Sequence, residues 1–439
     1  MSTMNQLTGA VVRRVVTPPQ EIIDRERNAG HTGFTGAYED VYMDTWVLAS
    51  GESTFVLISG EFGMFPGQVA LAKRIWEQYG IPRTNIWFTC NHNHQNMLAS
   101  DPGEGPSEMG SIRMNGDYVD FVAEQAMSAL AEAMEKLEPV KLGFGQGVSY
   151  INVSRDCPSL AGTIQASNFA APSDKTLVVL CMERLSDGKK LGVFINYAMH
   201  NNVLFGHQMN NTYQEIGGDC SGAVCRYVES FLEDDCPVSW GIAAAGDQNP
   251  IYMGFNFRAE KGEDGGFVVK VHDLLLEDSF MLMHQMAATQ GQDVLSVLNN
   301  MTDWYDCLPS AAGEKCTTVR GRKNYRSQGL QNLMPGQVVE KIPADPVEFR
   351  CRLAVLGDIA FVGINCEAYS RLGSLIKEAL PYKKIVFIEM AYGHAGYVPD
   401  SETEKLNGFG TMATMVYDTK EMENAVISTF KALTEEVKA

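Results

Sequence analysis

An α/β layered fold with some parallel strand pairing is predicted by the alternation of two sequence patterns. Short apolar runs rich in β-branched residues have the length and composition of strands. Between them lie longer stretches in which apolar residues recur at helical spacing. The predicted strands are residues 54–59, 86–90, 176–182, 191–197, 349–355, 359–364 and 385–390, with a further strand near 240–244. The main predicted helices are residues 66–79, 118–137, 223–232, 274–298, 369–380 and 422–437.

Proline and glycine set several of the helix limits. Pro66 occupies a favourable first position and Gly80 a favourable last position for the helix between them. Pro139 ends the helix that begins near Tyr118, and Pro381 ends the helix that begins near Tyr369.

Composition and charge exclude several classes of protein. The chain has 439 residues, with 35 Lys and Arg against 54 Asp and Glu, which gives a formal net charge of −19. Binding to nucleic acid or to an anionic membrane needs a basic surface, so this charge argues against both. No apolar stretch reaches the ~18 residues of a membrane-spanning helix, and the amino-terminal segment lacks the apolar region of a secretion signal. The ten cysteines form no CxxC pair, which is typical of reduced thiols. We therefore expect a cytoplasmic protein that acts on a small molecule.

Residues 254–346 differ from the rest of the chain. They begin with the glycine- and charge-rich sequence RAEKGEDGG and end in the basic loop RGRKNYRSQ. Long irregular segments in compact enzymes often carry a function, so a lid and a surface elaboration both fit the pattern. We predict an insertion or lid within one catalytic domain of residues 1–439.

Five groups of polar residues follow predicted strands, where α/β enzymes place catalytic side chains. They are residues 91–94 (NHNH), His200, residues 245–250 (AGDQNP), Glu367 and residues 392–399 (YGHAGYVP). In the first group, His92 and His94 are two residues apart, so in extended backbone both imidazoles project to the same face. Such a pair supplies one zinc ligand and a second ligand or supporting donor. The spacing also fits an ordinary polar turn.

Each of the other groups has a structural explanation as well. His200 fits a buried core histidine, and Glu367 fits a carboxylate that favours a helix N-terminus. Residues 245–250 fit a turn, and residues 392–399 fit a glycine-rich surface loop. Taken together, two or three histidines and a glutamate at strand ends match a zinc site with an open coordination position.

The order of these motifs resembles the N-terminal catalytic domain of the neutral/alkaline non-lysosomal ceramidase family. The matching segments are TCNHNHQNM (89–97), NYAMHNNVL (196–204), AAGDQNPI (244–251), VGINCEAYSRLG (362–373) and YGHAGYVPD (392–400). The resemblance covers nearly the whole chain. It implies packed mixed β-sheets flanked by helices, and hydrolysis by zinc-activated water.

The resemblance also implies a ligand set. His92, His200 and Glu367 correspond to zinc ligands. The fourth ligand comes from the last loop, as His394, Tyr397 or Tyr392 in that order of preference, because His394 stands where the family has its first tyrosine.

Further residues are expected around the metal. His94 and Tyr397 would stabilise the oxyanion of the reaction, and Asp247 would orient a ligand or shuttle a proton, although a turn role fits Asp247 equally well. Arg155 would bind a substrate carboxylate through two of its guanidinium nitrogens, or else form a surface ion pair. The remaining residues predicted to contact the substrate are Asn249, Gln95, Asn96 and Tyr392.

Departures from the family pattern bear on the substrate. Asn249 stands in place of the serine of ceramidases, and Gln95 and Asn96 replace part of a Ser-Gly-Pro segment. The sequence also leaves no room for the immunoglobulin-like domain of true ceramidases. We therefore expect a hydrolase that cleaves an amide, lactam or ester bond of a small soluble molecule, most of all a C–N bond. The alternatives are a metal-dependent lyase or isomerase, a true ceramidase and a non-catalytic zinc-binding protein. The sequence is compatible with a homo-oligomer.

Overall fold

The computed structural model describes residues 6–100, 115–232, 235–263, 265–307 and 310–438. The strands are β1 Thr8–Val15, β2 Gly36–Ala37, β3 Tyr42–Ser50, β4 Ser53–Gly60, β5 Ile86–Cys90, β6 Glu138–Val148, β7 Asn152–Ser159, β8 Gly162–Asn168, β9 Thr176–Arg184, β10 Lys190–Tyr197, β11 Glu215–Ile216, β12 Val238–Ile242, β13 Gln248–Pro250, β14 Phe255–Lys261, β15 Phe267–Asp273, β16 Asp303–Tyr305, β17 Ser310–Arg322, β18 Pro343–Leu356, β19 Ile359–Ile364, β20 Glu367–Ala368, β21 Lys384–Ile388 and β22 Tyr397–Val398. The helices are α1 Gln20–Asn28, α2 Gln68–Tyr79, α3 Gly116–Glu135, α4 Phe205–Met209, α5 Asp219–Glu229, α6 Leu276–Asn299, α7 Ser370–Ala379, α8 Phe409–Ala413 and α9 Thr419–Lys438.

Two β-sheets pack face to face. The larger has nine strands, in the order β12-β10-β9-β6-β1-β3-β4-β5 with β16 beside β6, and the smaller has the order β17-β18-β19-β21. Large apolar side chains fill the space between them, among them Trp46 and Trp87 from the larger sheet and Val386 from the smaller. The ring centroids of Phe55 and Phe361 lie 4.9 Å apart across this interface. Burial of these side chains is the main contribution that holds the two sheets together.

Helices cover the outer faces of both sheets. α3 packs on β1 and β3, and α5 and α6 pack on each other and on β12 and β6. α9 packs on β17 and β18, with α7 beside it. The prediction of an α/β fold with packed mixed sheets flanked by helices is confirmed.

Parallel pairing joins three pairs of long strands. These are β4 with β5, β10 with β12, and β19 with β21. The strands predicted at residues 86–90 and 359–364 begin and end at the same residues as the observed strands β5 and β19. The antiparallel strands β1, β3, β6, β7, β8 and β17 were not predicted.

Residues 254–346 contribute to both sheets. β14 and β15 form a hairpin, and α6 packs against α5. β16 joins the larger sheet through β6, and β17 pairs with β18 in the smaller one. The single domain with a lid in this range stays a prediction. After the hairpin, β16 and β17 of this range are strands of the two main sheets.

No helix of the described residues is long and apolar enough to cross a membrane. All ten cysteines are free thiols, and most of them are buried.

Candidate metal centre

The predicted polar groups meet at the carboxyl ends of the parallel strand pairs. His92 and His94 follow β5, and His200 follows β10. Glu367 follows β19, and the loop that carries Tyr397 follows β21. Each parallel pair places the carboxyl ends of its strands together, and the packing of the two sheets brings these four segments from both sheets into one site.

A contact between two loops sets the histidines side by side. Asn93 and Asn201 form a parallel β-bridge, and the backbone N–H of His94 donates to Asn201 O at 2.9 Å. The Asn201 side chain joins the same loops, because its Nδ2 donates to Asn91 O. Backbone pairing therefore places the first two histidines against His200.

Three imidazole rings form a compact cluster. One ring nitrogen from each of His92, His94 and His200 lies within 4.8 Å of the others. His92 is 6% exposed and His200 is fully buried, and their ring centroids are 4.5 Å apart. The Nε2 atoms of His92 and His94 have no hydrogen-bond partner among the described residues. Buried polar atoms normally have a partner, so these converging nitrogens suit a bound cation.

Hydrogen bonds at the other ring nitrogen determine which nitrogen faces the cluster. Nδ1 of His92 lies 2.5 Å from Gly63 O, and Nδ1 of His200 lies 2.9 Å from Ala245 O. A carbonyl oxygen only accepts, so each Nδ1 carries the proton and each Nε2 presents its lone pair. His92 also has a φ of 51°, which is uncommon for a residue with a side chain. Such backbone strain is typical of functional sites.

Glu367 lies against these lone pairs. Its Oε2 is 3.3 Å from His92 Nε2 and 3.1 Å from His200 Nε2. Its Oε1 accepts from His394 Nε2 at 2.7 Å. Burial acts to raise the pKa of Glu367, whereas the proton that His394 donates to Oε1 acts to lower it and favours the carboxylate. An ionised oxygen and two imidazole lone pairs repel one another, and a cation bound between them would remove this repulsion.

Two of the histidines are neutral at physiological pH. Burial lowers the pKa of His94 well below its ordinary value, and His92 and His200 lower it further. Burial, together with Arg155 and His92, lowers the pKa of His200 to about 3. Neutral imidazole is the form that binds a metal, so this electrostatic environment fits a metal centre.

Tyr397 lies on a fourth side of the cluster. β20 and β22 pair in parallel, and their register sets Tyr397 directly opposite Glu367. The Tyr397 hydroxyl is 3.4 Å from His200 Nε2, and the two rings are nearly parallel. His394 instead contacts the outer oxygen of Glu367. The geometry therefore favours Tyr397 over His394 as a fourth ligand, which reverses the order of preference from the sequence.

Three residues predicted at the substrate are bonded to the surrounding scaffold. The hydroxyl of Tyr392 donates to a backbone carbonyl of β5 at 3.0 Å. The side-chain amide of Gln95 donates to a carbonyl of β11 at 2.7 Å, and that of Asn96 to the carbonyl after β4 at 2.8 Å. These contacts favour structural roles for Tyr392, Gln95 and Asn96 over the predicted contacts with substrate.

The turn at residues 245–250 packs against the segments that carry the centre. Asp247 Oδ1 accepts from the backbone N–H of Ser370, at the start of α7, at 2.7 Å. Burial raises the pKa of Asp247 to about 7. The contact with Ser370 gives Asp247 a positioning role, and a pKa near 7 also fits the proton transfer that the sequence suggested. Arg155 Nη1 lies 3.4 Å from Asn249 Oδ1, and Arg155 Nη2 donates to Gly246 O at 2.7 Å.

Gly246→Ala is expected to disrupt the centre. A Cβ atom at this position would lie 2.5 Å from Glu367 O, a backbone atom that cannot move without displacing the candidate ligand. We expect unfolding free energy to fall by about 1–3 kcal/mol, measured by denaturant titration, together with weaker zinc binding. Gly36→Ala is the control, because its Cβ would meet its nearest atom at 3.7 Å. Equal stability of the two variants would contradict the close packing described for Gly246.

Asp219 holds the loop that follows His200. Its Oδ1 accepts from Val203 N at 3.2 Å and from Cys220 N at 2.6 Å, and its Oδ2 accepts from Leu204 N at 3.1 Å. Burial raises the pKa of this carboxyl from 3.8 to about 6. The folded protein therefore retains a proton that the unfolded chain releases near pH 4.

Asp219→Asn is expected to change how stability depends on pH. The stabilisation from the raised pKa is complete below about pH 4 and is lost as the pH rises through about 6. The unfolding free energy of the wild type, relative to the variant, should fall by about 2 kcal/mol between pH 4 and 7. Denaturant titrations across this range measure the difference. A difference that does not change with pH would mean that Asp219 is ionised in the folded protein.

A group of residues beside Tyr397 was not predicted from the sequence. The hydroxyl of Tyr369 donates to Asp156 Oδ2 at 2.7 Å, and Asp156 Oδ1 accepts from Phe409 N at 3.2 Å. The Phe409 ring centroid lies 5.2 Å from that of Tyr397. The only available signal was the position of Asp156 next to Arg155 in the sequence.

The fold was compared with those of known proteins. A neutral ceramidase from Pseudomonas aeruginosa matches with a TM-score of 0.71 and 12% sequence identity, over 99% of this chain and 75% of the ceramidase chain. The chain has the neutral ceramidase fold. A ceramidase complexed with C2 matches with a TM-score of 0.71 and 13% identity, over 99% of this chain and 76% of the other. No protein-family model and no curated protein matches the sequence. The neutral ceramidase fold is thus present in a sequence that has diverged far from these two ceramidases.

Proposed function

We propose that this chain is a zinc-dependent hydrolase that cleaves an amide, lactam or ester bond of a small soluble molecule. The observation that carries the proposal is the ionised Oε2 of Glu367 facing the unprotonated Nε2 atoms of His92 and His200. Two imidazoles and one carboxylate with a further open position are a donor set typical of catalytic zinc. The neutral ceramidase fold supports an amide bond as the target.

Three residues would hold the metal. His92, His200 and Glu367 are the proposed ligands, with Tyr397 on the fourth side. His394 donates to the outer oxygen of Glu367 and so orients that carboxylate. When bound, zinc supplies Lewis-acid activation of water at neutral pH.

His94 and Tyr397 are placed to stabilise charge on the substrate. His94 Nε2 has no partner among the described residues, and in the tautomer that protonates this nitrogen it would donate to a carbonyl oxygen of the substrate and would not bind the metal. Burial, followed by the charge of Glu367, raises the pKa of Tyr397, so its hydroxyl keeps its proton and can donate a hydrogen bond. Fixed donors in a buried site stabilise a developing oxyanion strongly because they need no reorganisation.

A cleft beside the centre supports a small polar substrate. It is lined by Arg155, Asn249 and Gln165 among others, so the polar character of its lining, and not its volume, is what favours such a substrate. Asn202 extends this polar surface, since its Nδ2 lies 3.3 Å from Asn249 Oδ1. The net charge of −19 supports the same substrate class, because it disfavours an anionic membrane surface as a partner.

Reaction in H₂¹⁸O tests the reaction class. A panel of N-acyl amino acids, lactams and esters is incubated with the zinc-loaded protein, and the products are analysed by mass spectrometry. Hydrolysis places one heavy oxygen in the carboxyl product, because water adds across the bond that is broken. Conversion of a substrate without incorporation of heavy oxygen would instead indicate a lyase or isomerase.

A further inference from the structure

Arg155 is a buried cation without an acidic partner among the described residues. Its side chain is 3% exposed, and its Nε has no hydrogen-bond partner there. The contacts of its other nitrogens are with neutral oxygens, Gly246 O at 2.7 Å and Asn249 Oδ1 at 3.4 Å. Tyr397 and Glu367 favour the charged form of this guanidinium. No carboxylate of the described residues forms an ion pair with it, and a buried charge without a directly paired counter-ion is costly, so it suits an anion from outside the chain.

The other buried arginines of the described residues do have acidic partners. Arg322 lies 3.5 Å from Glu404, and Arg352 lies 3.2 Å from Glu314. Asp156 is next to Arg155 in sequence but faces elsewhere, because its carboxyl accepts from a tyrosine hydroxyl and a backbone N–H. Burial also raises the pKa of Asp156, which disfavours its charged form.

We propose that the substrate carries a carboxylate and that Arg155 binds this carboxylate beside the bond to be cleaved. This inference rests on the proposed hydrolase function and names its substrate class, the N-acyl amino acids and related acidic amides. The Arg155 guanidinium lies 5.1 Å from the ring centroid of Tyr397, whose hydroxyl is 3.4 Å from His200 Nε2. A carboxylate on Arg155 therefore lies close to the candidate centre. Arg155 is suited to this ligand because a guanidinium matches the plane of a carboxylate.

A second arginine, Arg326, lies near Arg155 at the surface of the protein. Phe409 is half-buried, and its ring centroid lies 5.2 Å from the Arg155 guanidinium and 4.6 Å from that of Arg326. Arg326 is exposed and belongs to the basic loop RGRKNYRSQ, for which the sequence offered no role. Two cations beside one ring create a local positive potential on a chain with a net charge of −19. Arg326 therefore attracts the anionic substrate, and Arg155 binds it.

Calorimetric titration with paired ligands tests the site. The probes are N-acetyl amino acids and their C-terminal carboxamides, titrated into the full-length zinc-loaded protein. For the acids that bind most tightly, we expect an affinity about tenfold or more higher than that of the matching carboxamide. A hydrogen bond to a charged group is worth about 1.5–3 kcal/mol, which corresponds to at least this difference. Equal affinities within every pair, or no binding by any acid at millimolar concentration, would overturn the proposal.

Variants separate Arg155 from the metal, which also attracts carboxylates. Arg155→Gln should remove the preference for the acid while the zinc content is unchanged. Arg155→Lys should reduce the preference for the acid, and this variant provides the test if Arg155→Gln does not fold. A preference that survives in both variants would assign the carboxylate to the metal and not to Arg155. Loss of zinc binding or hydrolysis with an intact acid preference would overturn the proposed function and leave the anion site standing.

Arg326→Gln tests the approach. We expect a several-fold lower kcat/KM at low salt, and a loss of that difference at high salt, because the attraction is screened. Arg320→Gln is the matched control on the same strand and loop, since Arg320 is exposed and paired with Glu421. An equal effect of the two variants would overturn the role of Arg326.

Discussion

His200→Ala is expected to abolish hydrolysis and to weaken zinc binding by more than about a hundredfold. Supporting partners of a metal ligand alone are worth about 10–100-fold in affinity, so a ligand should be worth more. His200 also contacts Glu367 Oε2 at 3.1 Å, and its loss leaves that buried carboxylate with one fewer partner. Zinc affinity is measured by competition with a chelator, and activity by product formation.

His207→Ala is the control for this variant. His207 is also buried, but its ring lies against Ser279, with Nε2 2.9 Å from the serine Oγ. This variant should retain zinc. If His200→Ala binds zinc as the wild type does, the ligand set proposed around Glu367 is wrong.

Tyr397→Phe is expected to lower kcat by about 10²–10³-fold, which is the usual effect of removing one donor to a developing oxyanion. The ring and its stacking on His200 remain in this variant, so the fold should be unaffected. A larger effect on kcat than on KM is expected, because the hydrogen bond is strongest in the transition state.

Tyr392→Phe is the matched control from the same loop. The Tyr392 hydroxyl donates to Ile86 O at 3.0 Å within the core. Its loss should cost about 1 kcal/mol of stability without a comparable effect on kcat. If instead Tyr392→Phe lowers kcat and Tyr397→Phe does not, Tyr392 is the residue at the centre.

The sequence predicted the position of the centre because its residues follow strong strand signals. Runs such as IWFTC before His92 and IAFVGI before Glu367 are continuous and apolar, and both are strands with the predicted limits. Strands with a weaker pattern were missed. β6 contains three glycines in EPVKLGFGQGV, and β17 is mostly polar in SAAGEKCTTVRGR, so neither has a clear period.

The choice between His394 and Tyr397 depends on strand register, which sequence spacing does not determine. The pairing of Glu367 with Tyr397 in β20 and β22 turns the Tyr397 hydroxyl towards His200. Phe409 was missed for a related reason. It reaches Tyr397 through contacts between segments far apart in sequence, and a single sequence carries no signal of such contacts.

Zinc content tests the central claim most directly. Elemental analysis of the purified full-length protein should give about one zinc per chain, and removal of this zinc should abolish hydrolysis, with activity restored when zinc is added back. A metal-free protein with full hydrolytic activity would contradict the account.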